Sequence, residues 1–263
     1  MTSETVDAFH FGRFYVVQPA SGGHRSGVDA MLLAAMVAEQ GKQKVADLGA
    51  GAGAAGLAVA ARLPEAEVAL IERAPEMAQF ARKSILLAQN AHLADRVRVI
   101  EADVTLRGRL RLAAGLEDEV FDHVIMNPPF NAAVDRRTPD ALKADAHAMT
   151  EDLFESWIRT AGAILKPGGE LSLIARPESV ADIIAACGRR FGGLQITLVH
   201  PREGEPAIRM LVSAVKGSRA RLVFRAPFMI HDAGTHRFAA FIDDLNNGRA
   251  AYARVGRKVG QQD

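Results

Sequence analysis

The chain has 263 residues, of which 49% are apolar and 24% charged, with a formal net charge of +1. That length fits one large domain, or one domain with appendages, and the apolar share excludes a disordered chain. The near-neutral balance excludes a global electrostatic footprint for nucleic acid or membrane, and the single cysteine, Cys187, excludes an internal disulfide and a cysteine-based zinc site.

One thiol fits a reducing, cytoplasmic setting. The longest mostly apolar run, residues 48–61, falls short of the about 20 residues a spanning helix needs. The opening MTSETVDAFHFGR lacks the apolar block of a secretory signal. The charge is uneven, however. Residues 201–263 hold 11 Lys+Arg against 6 Asp+Glu, whereas the first 200 hold 21 against 25.

Residues 1–28, rich in Gly, His and Ser, read as irregular. Asp29 then opens a run of helix formers, where a carboxylate can accept from the first free amides of a helix. From residue 44 the pattern alternates. Strands are expected at 44–48, 67–71, 96–100, 123–126 and 170–175, and helices at 54–62, 75–91, 150–165 and 179–191. Such alternation predicts a doubly wound α/β sheet with helices on both faces. Two further strands, 195–200 and 208–216, are joined by a loop too short for a crossover, so the last must run antiparallel. The expectation is a Rossmann-like sheet of seven strands with the last one reversed, followed by a basic, partly irregular tail.

The segment KVADLGAGAGAAGLAVAAR carries the first chemistry. Glycines between a strand and a helix let the backbone turn tightly and approach a ligand. Gly51, Gly53 and Gly56 fit the dinucleotide pattern G-x-G-x-x-G, while Asp47, Gly49, Gly51 and Gly53 fit the D-x-G-x-G-x-G of S-adenosylmethionine-dependent methyltransferases. Asp47 separates the two. A carboxylate ending a buried strand needs a partner, which the ammonium of the methyl donor supplies and a pyrophosphate does not. The plain alternative is that Asp47 only caps a turn or helix end. Glu72 ends the second strand, where an acid can accept from a ribose diol. Asp103 follows the third, placed to bond an adenine amino group or, more simply, to sit as an exposed loop acid. The cofactor set is expected to include Ala50 and Arg73 beside these residues, and Asn127.

The sharpest signal is FDHVIMNPPF, residues 121–130. Pro128 and Pro129 remove two backbone donors and stiffen the turn. Carbonyl acceptors remain, joined by the side chain of Asn127, and Phe130 adds a flat apolar face. This suits a planar group bearing an NH₂. Two acceptors on its hydrogens draw a delocalised nitrogen toward tetrahedral geometry, so catalysis by positioning needs no strong base and no metal.

On these residues the chain resembles the class I methyltransferases that modify exocyclic or amide nitrogens. Within them, FGRFYVVQPASGGHRSGVDAMLLAA resembles the opening of bacterial tRNA (valine) adenine-N6-methyltransferases of the small methyltransferase domain family. There a Q-P stretch and an R/T-x-G-x-D-x-x-L-L element precede the glycine turn, matched here by Gln18-Pro19 and by Arg25 through Leu33. The resemblance covers roughly residues 10–235. It departs at Phe130, where Tyr is more usual, and at Asn131. It implies S-adenosyl-L-methionine as cofactor, with Gln18, Arg25 and Gly27 of the N-terminal element joining the residues that bind it, an adenine amino group in structured RNA, tRNA above all, as substrate, and catalysis by Asn127, Pro128, Pro129 and Phe130. It also implies an N-terminal segment and helix on the cofactor side (1–40), a methyltransferase domain (41–217) and a basic extension (218–263).

Two rivals stay open. One is a protein glutamine N5-methyltransferase, which shares the turn but usually carries a helical bundle before the glycines. The other is a non-catalytic RNA-binding protein with a vestigial cofactor fold. An NAD-dependent dehydrogenase is disfavoured by Asp47 and by the NPPF turn. The eight histidines show no metal spacing, and Trp157, early in a helix, reads as core. Arg136, Arg137 and Lys143 lie in a long loop after NPPF, either closing over substrate or simply solvated. Lys216, Arg219, Arg221 and Arg225, with Arg249, Arg254, Arg257 and Lys258, form a basic run that could track phosphates.

Overall fold

A computed structural model describes residues 3–20, 27–129 and 153–256. The main sheet grows from strands β3 (Gln43–Leu48), β4 (Ala66–Glu72), β5 (Val97–Glu101), β6 (Phe121–Met126), β7 (Leu165–Ala175), β8 (Phe191–His200) and β9 (Arg209–Lys216). Their spatial order is β8-β9-β7-β6-β3-β4-β5, and β9 runs antiparallel to both β7 and β8. The other pairings among these seven are parallel. The reversed strand is therefore the last of the seven in sequence, but it is inserted between the two before it.

The tail adds to this sheet. Two-residue strands β10 (Val223–Phe224) and β11 (Phe228–Met229) both pair in parallel with β8, making nine strands where seven were expected. Helix α7 (Ala240–Asn246) follows.

Both faces of the sheet are covered, and alternation sorts the side chains. Val45, Leu70, Ile125 and Ile174 face a core shared with α1 (Val28–Ala35), α2 (Ala54–Arg62), α3 (Pro75–Leu86) and α7. Leu48, Ile71, Met126 and Leu173 face a second core shared with a helix over residues 153–164, here α5, and with α6 (Val180–Cys187). A further short helix, α4 (Gly108–Ala113), lies outside the expected set.

Residues 3–20 are not irregular. β1 (Glu4–Phe9) and β2 (Phe14–Pro19) form an antiparallel hairpin whose turn holds His10, Phe11 and Gly12 at φ of 48°, 56° and 80°. An edge buried against the domain needs partners for its amides. The Val17 amide donates to Ser84 Oγ at 2.8 Å, and Tyr15 exchanges 2.9 and 2.7 Å bonds with Asn90. Asp29 does not cap α1: the N-cap is Gly27, and Asp29 accepts from Arg209 Nε at 2.7 Å, fastening α1 to β9.

Candidate active site

The strand ends line up. Leu48, Ile71, Ile100 and Met126 lie in one row across β3, β4, β5 and β6. Chain order moves outward from β3 to β5 on one side and resumes with β6 on the other, so the crevice opens at the switch between β3 and β6, where open α/β sheets bind ligands. A cavity of about 710 Å³ lies there. Asp47, Gly49, Ala50, Gly51, Glu72, Arg73, Asp103, Asn127 and Pro129 line it, as do Ala30, Met77, Leu153 and Trp157.

The glycine turn is tied to β4 by backbone and side chain. Ile71 O accepts from the amides of Gly49 and Ala50 at 2.8 and 3.0 Å. The Glu72 carboxylate accepts from the amides of Gly51 at 2.9 Å and Ala74 at 2.8 Å. Gly49 has φ of +69°, and a Cβ there would run into the Trp157 ring. At Gly56 a Cβ would collide with Leu70 across the helix–sheet contact. Trp157 is thus core, with 7% exposure, and also a wall of the cavity pressed on the glycine turn.

Asp47 is 2% exposed, and its Oδ2 accepts from the Gly56 amide at 2.9 Å, in the first turn of α2. The capping alternative is therefore met. It uses one oxygen, and no cation pairs with Asp47 among the described residues. Burial, with the nearby Glu72 charge adding to it and the Gly56 bond opposing it, pushes the Asp47 carboxyl up to about 7. A half-titrated buried carboxyl lining a cavity is a place for a cation.

Asp103 is held by the Thr105 amide, which donates to its Oδ1 at 2.8 Å, while Arg73 stands 3.9 Å from Oδ2. Among the described residues, three carboxylates against one exposed guanidinium make the cavity lining net acidic, hostile to a pyrophosphate. At the opposite rim, Asn127 Oδ1 is buried with no donor among the described residues. Pro128 is buried beneath it, and Pro129 is exposed along the cavity.

Other expected residues lie elsewhere. Gln18 sits on β2 with its side-chain amide donating to Asp7 at 2.9 Å, and Gly27 is an exposed helix cap; neither lines the cavity. Arg25, Phe130, Arg136 and Arg137 fall outside the described residues, as do Arg257 and Lys258. Much of the basic run is engaged within the fold. Arg225 stacks 3.7 Å from the Tyr252 ring centroid and donates to Ala253 O. Arg249 pairs with Asp243 and Asp244, Arg254 donates to Ser213 and Gly193, and Lys216 meets Glu119. Arg219 and Arg221 remain exposed.

Comparison with known proteins agrees with this geometry. Residues 25–196 match the family described as methyltransferase small domain. A tRNA1(Val) (adenine(37)-N6)-methyltransferase of Pedobacter heparinus is 27% identical over 208 residues, covering 78% of this chain and 83% of the relative. One from Porphyromonas gingivalis is 31% identical, covering 67% and 68%. A release factor glutamine methyltransferase of Deinococcus radiodurans is 31% identical, covering 55% and 49%. A solved structure described as a predicted O-methyltransferase of Agrobacterium tumefaciens is 61% identical, with a TM-score of 0.76, and covers 86% of this chain and 99% of that one. The acidic, glycine-floored cavity at the switch point and these matches lead to one conclusion: the chain belongs to the methyltransferase small domain family and is an S-adenosylmethionine-dependent methyltransferase.

Proposed function

We propose that this enzyme methylates the exocyclic amino group of an adenine in tRNA. The observation that carries the reading is the buried Oδ1 of Asn127, which has no donor among the described residues, on the wall of the cofactor cavity. A buried carbonyl oxygen without a donor costs about 1–3 kcal/mol. An incoming NH₂ relieves that cost, which an incoming hydroxyl deprotonated for attack does not.

The residues present fit the cofactor. Asp47 would hold its ammonium, Glu72 the ribose diol and Asp103 the adenine amino group, with Arg73 beside Asp103 and the Gly49–Gly51 turn admitting the chain between. Trp157 would close the apolar wall. The bound cofactor supplies an electrophilic methyl on a sulfonium. Asn127 and the Pro128 carbonyl would then hold the two amino hydrogens and turn the lone pair toward that methyl, with Phe130 stacking on the base. The first 40 residues would complete the cofactor side through Ala30, and the extension from 218 would meet the RNA.

The protein glutamine reading uses the same turn, and a relative carries that activity in its name. The longer coverage of the tRNA relatives and the excess of base over acid in residues 201–263 favour RNA. Single-turnover methyl transfer to an unmodified tRNA transcript, with saturating cofactor, tests the assignment. Asn127→Ala should slow transfer by about 10²–10³, the usual effect of one donor or acceptor aimed at the reacting group. Near-full single-turnover rates in that variant, or transfer to a glutamine peptide and not to tRNA, would contradict it.

A further inference from the structure

The nine-stranded sheet ends in an edge that the cofactor site does not use. From Gly217 to His231 the chain runs along β8 with three arginines and no acid. Among the backbone bonds that fasten it there are Gly193 N to Ala220 O and Arg225 N to Ile196 O, both 2.8 Å. Below the start of β8 this strip borders a second cavity of about 490 Å³, lined by Arg189, Phe191, Ser218 and Arg219 among others and by no carboxylate. Arg189, Arg219 and Arg221 are all exposed, and no hydrogen bond or ion pair engages their side chains among the described residues. Neighbouring Arg190 differs: Glu155 holds it in a bidentate pair at 3.1 and 2.7 Å. Farther up the strip Phe224 is 64% exposed and Val223 50%.

Register relates this edge to the active site. Phe224 pairs with Ile196, Ile196 with Val212, Val212 with Leu173, and Leu173 with Met126, the residue before Asn127. Phe224 therefore stands level with the catalytic turn, four strand spacings of about 4.8 Å away, or about 19 Å. The cavity with its arginines lies lower on the same edge.

We propose that this edge is a second RNA-docking site, with Arg189, Arg219 and Arg221 taking backbone phosphates and Phe224 stacking on an unpaired base. The inference rests on the RNA reading above and adds a place for the substrate outside the cofactor cavity. Charge selects the occupant. Two copies of this chain pairing edge to edge would bring bare arginines together, whereas a polyanion neutralises them. A flat aromatic beside cationic side chains is the arrangement that holds single-stranded bases. The span also fits: about 19 Å is five to six nucleotide steps at the roughly 3.4 Å of one stacked strand.

The test is fluorescence anisotropy of a labelled, unmodified tRNA transcript titrated with full-length protein from 50 to 250 mM KCl. R189Q/R219Q/R221Q should bind at least about tenfold more weakly at 0.15 M salt, with a log–log salt slope shallower by about 2–3, because fewer counterions are released. Phe224→Ala should lose about fivefold or more in affinity with the wild-type slope. Cofactor affinity by calorimetry should be unchanged in both variants, which also shows that they fold. An unaltered slope and affinity in the triple variant, with the wild type binding tRNA, would overturn this site and leave the RNA reading standing. A wild type that binds no tRNA even at 50 mM salt would overturn both. Tight binding of inorganic phosphate that tRNA does not displace would assign the cavity to a small anion instead. Conversion of a dimer to a monomer by Phe224→Ala would assign the edge to a second copy.

Discussion

Asp47 ties the electrostatics of the cavity to a measurable pH dependence. Burial, with the Glu72 charge adding to it, pushes the Asp47 carboxyl up to about 7, and among the described residues only the Gly56 amide donates to it. If the cofactor ammonium pairs with the ionised form alone, affinity follows the ionised fraction, about 0.03 at pH 5.5 and 0.5 at pH 7. The dissociation constant of S-adenosylmethionine should therefore fall about 16-fold over that interval, which lies below the range where an α-amino group titrates. Calorimetry at pH 7 in buffers of different ionisation enthalpy should also show about half a proton released per molecule bound. Asp47→Asn should bind weakly with a flat profile. The free protein should respond in the opposite sense. A carboxyl raised from 3.8 to about 7 contributes stability that is full below 3.8 and lost as pH rises through 7. A wild-type affinity that is constant from pH 5.5 to 7 would refute the pairing of Asp47 with a cation.

Further outcomes follow from the packing. Gly49→Ala must place a Cβ at φ of +69° and against Trp157, so urea unfolding should show a loss of about 2–5 kcal/mol, left-handed strain and overpacking together, with weaker cofactor binding; a loss under about 0.5 kcal/mol would contradict the contact. Trp157 is the single tryptophan of the chain and lines the cavity, so its fluorescence should change on cofactor addition and saturate at the calorimetric affinity. An unchanged spectrum at saturation would move the ligand away from that wall. His10 is buried without partners for its ring nitrogens among the described residues, and burial, then Arg13 and Arg62, lower it to about 4. Its neutral form favours the fold above about 6.5, and that stability is lost as pH falls toward 4. His10→Leu should flatten this limb in urea titrations at pH 5 and 7.5, and an identical wild-type slope would exclude the histidine as its source.

The parts of the fold legible in sequence are those whose signal is local. Short apolar strands between helical runs announced the parallel sheet because both its faces are buried. The brief loop from residue 200 to 208 announced the reversed strand. The hairpin was hidden because β1 is half exposed, with a faint alternation, and its turn uses left-handed His10 and Phe11 in place of a familiar turn pair. β10 and β11, two residues each, are defined by pairing with β8 and carry no periodicity. In the site, Asp47, Glu72, Asp103 and Asn127 were readable because each ends or follows a parallel strand, and such ends converge. Trp157 reads in sequence as core alone, because an apolar residue on a helix says nothing of the gap above Gly49. Asp29 suggests a cap in the sequence because its actual partner, Arg209, lies 180 positions away. Gln18 looked like part of the site by motif alone, and the hairpin turns it toward Asp7.

The central claim is that an adenine amino nitrogen receives the methyl group. The direct measurement is to incubate the full-length protein with unmodified tRNA transcript and methyl-labelled S-adenosylmethionine, digest the RNA to nucleosides, and identify the labelled product by chromatography and mass spectrometry. The account predicts label in N6-methyladenosine, accumulating about 10²–10³ more slowly with Asn127→Ala. Label in a ribose 2′-O-methyl nucleoside, or in a glutamine-containing peptide offered in the same reaction with none in adenine, would contradict it.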